Sequence, residues 1–121
     1  MIESAPGEQK IQMTQPEQAV LLWPMLALAA RNQQILSYSD VQGFTGIAQH
    51  GLGQPLGLIH HCCERQHFPR LNIIVVNRET GLPGEGVPGK EMTPEQVFIE
   101  RSRVFVFDWS SKEKPRSNDF V

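Results

Sequence analysis

The chain has 121 residues, of which 40% are hydrophobic and 20% charged, and its formal net charge is -2. This composition is ordinary for one globular domain, and a chain of this length can bury a core without disulfides or metals. The acidic balance excludes a uniformly basic surface, so any contact with nucleic acid has to come from a local patch.

The first element predicted along the chain is a flexible arm over the polar residues 1–13. Thr14 and Glu17 then form the pattern of a capping box, which predicts a helix running to about Arg31. The apolar run over 19–30 is shorter than the roughly 20 residues that span a bilayer, and no basic flank precedes it. We therefore predict a buried central helix and no membrane contact.

A second and a third helix follow at close spacing. Ser37 and Asp40 predict a helix start, and glycines close this short helix near Thr45. The third helix begins at Gly53 and carries an apolar stripe at helical spacing until it ends before Pro69. This order of elements predicts a helix-turn-helix.

The second half of the chain predicts a strand, a turn-rich segment and one more helix. The β-branched run over 71–76 predicts the strand, and the glycines and prolines of 77–89 predict turns. Thr93 begins a helix to about Trp109, although residues 104–107 would also suit a strand. Residues 110–121 are predicted to form a flexible polar tail, which leaves 14–109 as the folded domain.

Three segments carry a resemblance to a known family: Ser37-Tyr38-Ser39-Asp40-Val41, Gly53-Gln54-Pro55-Leu56-Gly57, and Arg70-Leu71-Asn72-Ile73-Ile74-Val75-Val76 with the glycines up to Gly86. They resemble the C-terminal winged-helix domain of the O6-alkylguanine alkyltransferases and alkyltransferase-like proteins. That family has a Ser/Thr-Tyr-Gly helix start, an Arg-Ala-Val-Gly recognition-helix start, and Pro-Cys-His-Arg-Val-Val before a Gly-rich wing. The resemblance implies a mainly α fold with a small β-wing, as a winged helix-turn-helix-like single domain.

The resemblance also implies roles for single residues. Tyr38 falls on the tyrosine that works beside the DNA backbone, and Gln54 falls where the family has the arginine that enters the base stack. Asn72 stands at the position of the alkyl-accepting cysteine, with Ile73 and Ile74 in place of His-Arg. Without a thiolate and a base at these positions, alkyl transfer is not expected, and the chain is predicted not to be an enzyme.

The predicted contacts with double-stranded DNA are six residues on the helices and beside the strand: Tyr38, Gln54, His61, Arg65, Arg70 and Arg78. Glutamates at positions 64, 79, 85 and 91 alternate with the basic residues and dilute the positive patch. We therefore expect modest, salt-sensitive DNA affinity.

Two other patterns suggest a metal or a nucleotide. His60, Cys63 and His67 lie at spacings that share a helix face, and their ligand types suit zinc, but no fourth ligand is evident. The Gly-rich segment 84–91 resembles a phosphate loop, but Glu91 stands where such a loop needs Ser or Thr. We predict neither a metal nor a cofactor.

The leading hypothesis is a non-enzymatic DNA-binding or DNA-associated module. The alternative is a protein-interaction or self-associating module that keeps the scaffold and has lost DNA binding. The last helix carries more apolar residues than one face can bury, which predicts a homodimer through that helix or through the flexible arms. Cys62 and Cys63 are adjacent and predict no disulfide framework, which favours reduced thiols and a cytoplasmic location.

Overall fold

The computed structural model of the protein describes residues 13–83 and 92–120. Within them the chain is mainly helical, as predicted. In chain order, the helices and strands are α1 (Gln15–Arg31), β1 (Leu36–Ser37), α2 (Tyr38–Thr45), α3 (Gly53–Gln66), β2 (Val75–Val76) and α4 (Pro94–Val106). Short 3-10 helices occupy Gln49–Gly51, Leu71–Ile74, Trp109–Ser111 and Ser117–Phe120.

The predicted capping boxes define the starts of three helices. At α1, the Glu17 N–H donates to Thr14 Oγ1 over 3.2 Å, and the Thr14 N–H donates to Glu17 Oε1 over 2.8 Å. The same reciprocal pair begins α2 and α4, between Ser37 and Asp40 and between Thr93 and Gln96. Because each pair satisfies two backbone N–H groups, these three starts are determined locally by the sequence.

The sheet consists of one parallel pair, with Leu36 opposite Val75 and Ser37 opposite Val76. The prediction of a strand over 71–76 is correct only for its last two residues, because Leu71–Ile74 form a 3-10 helix that is completely buried. The predicted wing cannot be compared directly, because residues 84–91, which include the Gly-rich segment, lie outside the described residues.

The core lies between α1 and α3 and is closed by the segment after α4. Trp23 packs edge-on against Trp109, with ring centroids 5.7 Å apart, and its ring centroid is 6.2 Å from that of Phe120. Phe120 is 1% exposed. Residues 110–119 of the predicted tail are exposed, apart from the half-buried Pro115, but Phe120 at its end packs against Trp23 in the core.

The last predicted helix is confirmed as a helix rather than a strand, but it ends at Val106 instead of Trp109. Val97, Glu100 and Val104 face the core. The Trp109 indole N–H donates to the Val104 carbonyl over 2.8 Å, which ties the following turn to the helix. Across residues 13–83 and 92–120, we find no helix with the length and apolar character needed to cross a membrane.

Candidate nucleic-acid interface

The helices α2 and α3 follow each other through a short turn, and local contacts explain that turn. Gly46 ends α2 in the left-handed region, with φ of 80°, where a residue without Cβ is favoured. The Thr45 hydroxyl donates to the Val41 carbonyl over 2.8 Å and accepts the Ile47 N–H over 3.1 Å. Leu52 is fully buried immediately before α3, so the start of that helix is held in the core.

The start of α3 differs from those of the other α-helices in the described chain. Leu52 occupies the N-cap position and supplies no side-chain hydrogen bond. Gln54, the second residue of α3, is exposed. Pro55 has no backbone N–H, so the first turn of α3 offers those of Gly53 and Gln54. They point along the axis and carry partial positive charge, which suits an anion such as phosphate.

The structure brings Tyr38 and Arg78 together beside a cleft of about 260 Å³. This cleft is lined by Ser37, Tyr38, Ser39, Gln49, Asn77, Arg78 and Glu79. Arg78 Nη2 lies 3.2 Å from Ser37 Oγ and 3.4 Å from Asp40 Oδ1, while 70% of the Arg78 side chain stays exposed. Arg78 therefore joins the turn after β2 to the start of α2, and it still presents part of its guanidinium to solvent.

Hydrogen bonding at the same place affects Asp40. Bonds from the backbone and the hydroxyl of Ser37, with the charge of Arg78 as a smaller contribution, hold the pKa of Asp40 below its ordinary value. Asp40 therefore stays ionised and partly neutralises Arg78. The positive potential of this cleft is lower than its arginine alone would produce.

Of the other three predicted DNA contacts, His61 and Arg65 lie in the second half of α3 and Arg70 lies just beyond its end. Glu64 is the common neighbour of His61 and Arg70: its carboxylate oxygens lie 3.5 Å from His61 Nδ1 and 3.5 Å from Arg70 Nη2. Arg65 Nη2 donates to the carbonyl of Asp119. At about 1.5 Å of rise per residue, Arg65 is roughly 16 Å along the helix from Gln54. Tyr38 and Arg78 therefore lie together, whereas His61, Arg65 and Arg70 lie apart from Gln54, toward and beyond the other end of α3.

Partial burial raises the pKa of Glu64. The attraction of His60 and hydrogen bonds from His61 and Arg70 outweigh this effect, so the pKa is lowered overall. Glu64 therefore remains a carboxylate beside these basic side chains. This group offers a mixed surface rather than a continuous positive one.

Sequence reasoning missed the buried carboxylate of Glu100, which is 5% exposed. Glu100 Oε2 accepts the Arg70 N–H over 2.8 Å, and Oε1 accepts Arg103 Nη1 over 2.8 Å. The sequence spacing could have indicated this burial, because Val97 and Val104 lie three and four residues from Glu100 and share the inward face of α4 with it. Its partner Arg70 is 30 positions away, which local patterns do not reveal.

The arrangement suggested by His60, Cys63 and His67 is not assembled as a metal site. His67 ends α3 in the left-handed region, with φ of 62°, so its side chain leaves the helix face. Cys63 is fully buried, and burial raises the pKa of its thiol to about 12. Burial also lowers the pKa of His60, against the attraction of Glu64. In the part of the chain that the structure describes, no group of three His, Cys, Asp or Glu side chains could hold a metal ion.

Asn72, at the position that the resemblance assigns to the alkyl acceptor, is completely buried in the 3-10 helix before β2. The two thiols of the chain are also buried, and burial raises the pKa of Cys62 as it does that of Cys63. Neither thiol is therefore disposed to act as a thiolate nucleophile.

Comparison of the chain with protein-family models, with curated proteins and with solved structures returns no match.

Proposed function

We propose that the protein is a non-enzymatic module that docks on double-stranded DNA with the start of α3. The observation that carries this proposal is the N-terminus of α3, which no side chain caps and where Gln54 is exposed. We take α3 to act as the second helix of a helix-turn-helix. Backbone N–H groups at such a start can donate to a phosphate, while the side chain of Gln54 reaches toward the groove. The resemblance to the winged-helix domain of the alkyltransferases points to the same surface.

The two groups of basic residues contribute unequally to this docking. Tyr38 and Arg78 line one cleft together with Gln49, which belongs to the turn between α2 and α3. This supports a contact of both side chains with the DNA backbone near the α3 start. Arg65 and Arg70 lie at the other end of α3, where only a duplex that follows the length of the helix would meet them. Because Arg70 and Arg78 already contact carboxylates, each supplies less than a full charge to the duplex.

The absence of enzymatic activity is part of the proposal. An amide at position 72 has no thiolate to accept an alkyl group, and the buried thiols of Cys62 and Cys63 have raised pKa values. We expect the intact mass of the protein to stay unchanged after incubation with duplex containing O6-methylguanine. A stoichiometric alkyl adduct on either cysteine would contradict this part of the proposal.

The experiment is a fluorescence-anisotropy titration of labelled duplex over a range of salt concentrations. We expect the wild type to bind with a salt-dependent affinity, and Gln54→Arg to bind more tightly because it adds a phosphate-directed charge at the α3 start. Gln54→Glu should weaken binding at least tenfold. Gln66→Glu, the same change at the last residue of α3, is the matched control and should have a smaller effect.

Single replacements of the arginines test the remaining contacts. Replacing Arg65, Arg70 or Arg78 by alanine should weaken binding to all sequences alike and lower the salt slope by about 1 at most. The proposal fails if the wild type shows no salt-dependent duplex binding at low ionic strength and Gln54→Arg creates none.

A second candidate function is a protein-interaction module that keeps the helix-turn-helix only as a scaffold. The pairing of Arg70 with Glu64 and of Arg78 with Asp40 favours it, because these contacts leave a mixed surface in place of a basic one. Failure of the duplex titration combined with an intact fold would make this candidate the preferred one.

A further inference from the structure

Residues 109–120 form a segment, which we call the strap, that is anchored in the core at both ends. Trp109 is 3% exposed and Phe120 is 1% exposed, and both rings pack against Trp23 of α1. The residues between these two anchors are mostly exposed. The strap is therefore a fixed part of the fold, although most of its side chains reach solvent.

A cavity of about 470 Å³ separates the middle of the strap from the second half of α3. Cys62 and Gln66 form its α3 side, and the strap supplies most of its other walls, which are mainly polar. Beside the cavity, Arg65 donates to the Asp119 carbonyl, which ties the strap to the helix. A concave space of this volume is within the range of sites that hold small molecules.

Three basic side chains of the strap line the cavity: Lys112, Lys114 and Arg116. Within residues 13–83 and 92–120, none of them forms an ion pair with a carboxylate. The lining also contains Glu113 and Asp119, so three positive and two negative charges leave a net charge of +1, in a chain whose formal net charge is -2. One oxygen of the Asp119 carboxylate is already occupied, because Oδ2 accepts the Arg116 backbone N–H over 2.7 Å. The cavity is therefore locally positive in an acidic molecule.

Two sets of contacts restrain the basic residues before a ligand binds. Lys112 Nζ lies 5.6 Å from the ring centroid of Phe68 and 5.4 Å from that of Phe107. This cation–π contact orients the ammonium group and leaves its charge unneutralised. The backbone at Arg116 is held by a pair of bonds with Asp119, since the Asp119 N–H also donates to the Arg116 carbonyl over 2.9 Å. Less conformational entropy is therefore lost when an anion binds.

We propose that this cavity binds a small phosphorylated molecule, with its phosphate group held by Lys112, Lys114 and Arg116. A phosphate group matches three cations better than a single carboxylate does, because it carries more charge and offers more acceptor oxygens. Ammonium groups bind it as point charges, and a guanidinium can bind two of its oxygens at once. The proposal concerns another surface than the start of α3 and does not depend on DNA binding.

The rest of the lining favours a small molecule over a bare ion or a duplex. The side-chain amides of Gln66 and Asn118 can donate and accept hydrogen bonds, and Phe68 and Pro115 contribute apolar surface. These groups can contact the part of the ligand that carries the phosphate. A duplex, in contrast, needs an open face of roughly 600 Å² or more, and the space beneath the strap does not provide one.

An NMR titration of the isotope-labelled full chain with pyrophosphate, at constant ionic strength, tests the proposal. Backbone amide signals of residues 111–119 and of Gln66 should shift together and saturate. The dissociation constant should be on the order of 1 mM, because each exposed ion pair contributes little. Signals of Gly53 and Gln54 report separately on the start of α3. Shifts confined to that start, or no saturable shift at the strap up to tens of millimolar, would overturn the cavity proposal.

Single replacements of the basic residues test the lining. Lys114→Gln and Arg116→Gln should each raise the dissociation constant for pyrophosphate about threefold, and the double variant should raise it about tenfold. Arg31→Gln is the matched control, because Arg31 is an exposed basic residue of α1 outside the lining, and the constant should stay within about 1.5-fold. All three positions are exposed, and circular dichroism confirms the fold of each variant. An equal loss from Arg31→Gln would overturn the proposal, because net charge alone would then explain the binding.

Glu113→Gln tests the sign of the effect. It removes a negative charge from the lining and should lower the dissociation constant for pyrophosphate about threefold. Glu95→Gln, at an exposed acidic position of α4, is the matched control and should leave the constant unchanged. An unchanged or raised constant for Glu113→Gln would contradict the assignment of the phosphate to this cavity.

A short duplex distinguishes the two sources of phosphate. Under the proposal, the duplex leaves the signals of residues 111–119 in place and changes the dissociation constant for pyrophosphate by less than about twofold. A duplex that shifts these signals and competes with pyrophosphate would show that the strap contacts DNA, and it would overturn the proposal of a small-molecule site. If the duplex does not bind at all, the function proposed above fails, while the pyrophosphate titration still decides this proposal.

Discussion

The starts of α1, α2 and α4 are closed by their own side chains, whereas the start of α3 is not. In the first three, a Ser or Thr and a side chain three residues later satisfy backbone N–H groups that would otherwise need water. At α3 the N-cap position holds Leu52, whose side chain is buried. The capped starts therefore stabilise the fold locally, whereas the start of α3 depends on the burial of Leu52, and it is this uncapped start that we propose as the DNA contact.

Leu52 explains why α3 is open. Its backbone is already helical, with φ of -79° and ψ of -20°, because the chain enters α3 directly from the 3-10 helix Gln49–Gly51. A capping residue needs an extended backbone and a polar side chain. The position of Leu52 provides neither, because its side chain is part of the core.

The largest expected effect on the closed starts is that of Ser37→Ala. Its hydroxyl caps α2 and also lies within hydrogen-bond distance of Ser39 and Arg78. We expect a loss of about 1–2 kcal/mol in the free energy of unfolding, measured by urea denaturation. If the loss is no greater than for Thr14→Ala, whose cap is exposed, then the additional contacts of Ser37 do not contribute to stability.

A smaller loss is expected from Thr93→Ala, which removes the cap of α4. The Gln96 N–H donates to Thr93 Oγ1 over 3.1 Å, and the cap is exposed. We expect a loss of about 1 kcal/mol in thermal or urea unfolding. Thr93→Ser keeps the hydroxyl and serves as the control. Equal destabilisation by both replacements would show that the methyl group, and not the cap, is responsible.

Adding a negative charge at the uncapped start of α3 should raise the free energy of unfolding, whereas removing a cap from α2 or α4 lowers it. Gln54→Glu places a carboxylate at the positive end of α3, and we expect it to raise the free energy of unfolding by about 0.3–1 kcal/mol. Gln66→Glu places the same charge at the negative end and should lower it. The same pair of variants separates folding from function, because Gln54→Glu should be more stable and yet bind duplex more weakly. A Gln54→Glu protein that is both less stable and unchanged in duplex binding would contradict the interpretation that the α3 start is uncapped and contacts DNA.

The smallest expected effect is the pH dependence of the stability loss, which should differ between the capped starts of α2 and α4. The folded-state pKa of Asp40 is lowered, so its contribution to stability is present above its ordinary pKa of about 3.9 and is lost as pH falls through the folded-state value. Ser37→Ala keeps the backbone N–H that contributes most to this lowered pKa and removes the hydroxyl, so the part of its penalty that comes from the hydroxyl should shrink in acid. At α4 the corresponding residue is Gln96, which does not titrate, so the penalty of Thr93→Ala should stay constant over the same range. Urea denaturation at several pH values measures both.

The helix starts could be predicted because each depends on residues three positions apart. The strand over 71–76 could not, because its β-branched residues are buried on all sides and tertiary packing, rather than local preference, makes most of the segment a 3-10 helix. The end of α4 was missed for a related reason. The Trp109 indole binds the Val104 carbonyl, and the chain turns away at Phe107.

The helix starts of the candidate interface could be predicted from the sequence, but the partners of its charged side chains could not. Local patterns place Tyr38 and Gln54 at helix starts, where the structure has them. The partners of the arginines lie far along the chain: Arg78 meets Asp40 across 38 positions, and Arg65 meets the Asp119 carbonyl across 54. Spacing patterns do not report such contacts, so the sequence predicted a diluted positive patch from the neighbouring glutamates but not the particular partner of each arginine.

The burial of Phe120 against Trp23 has a consequence for the order in which the protein can form. These two rings belong to opposite ends of the described chain, so the core around Trp23 stays incomplete until residue 120 has been synthesised and released. The helices with their own caps can form early, but their docking has to wait. During synthesis the apolar side of α1 is therefore exposed for longer than that of any later helix among the described residues.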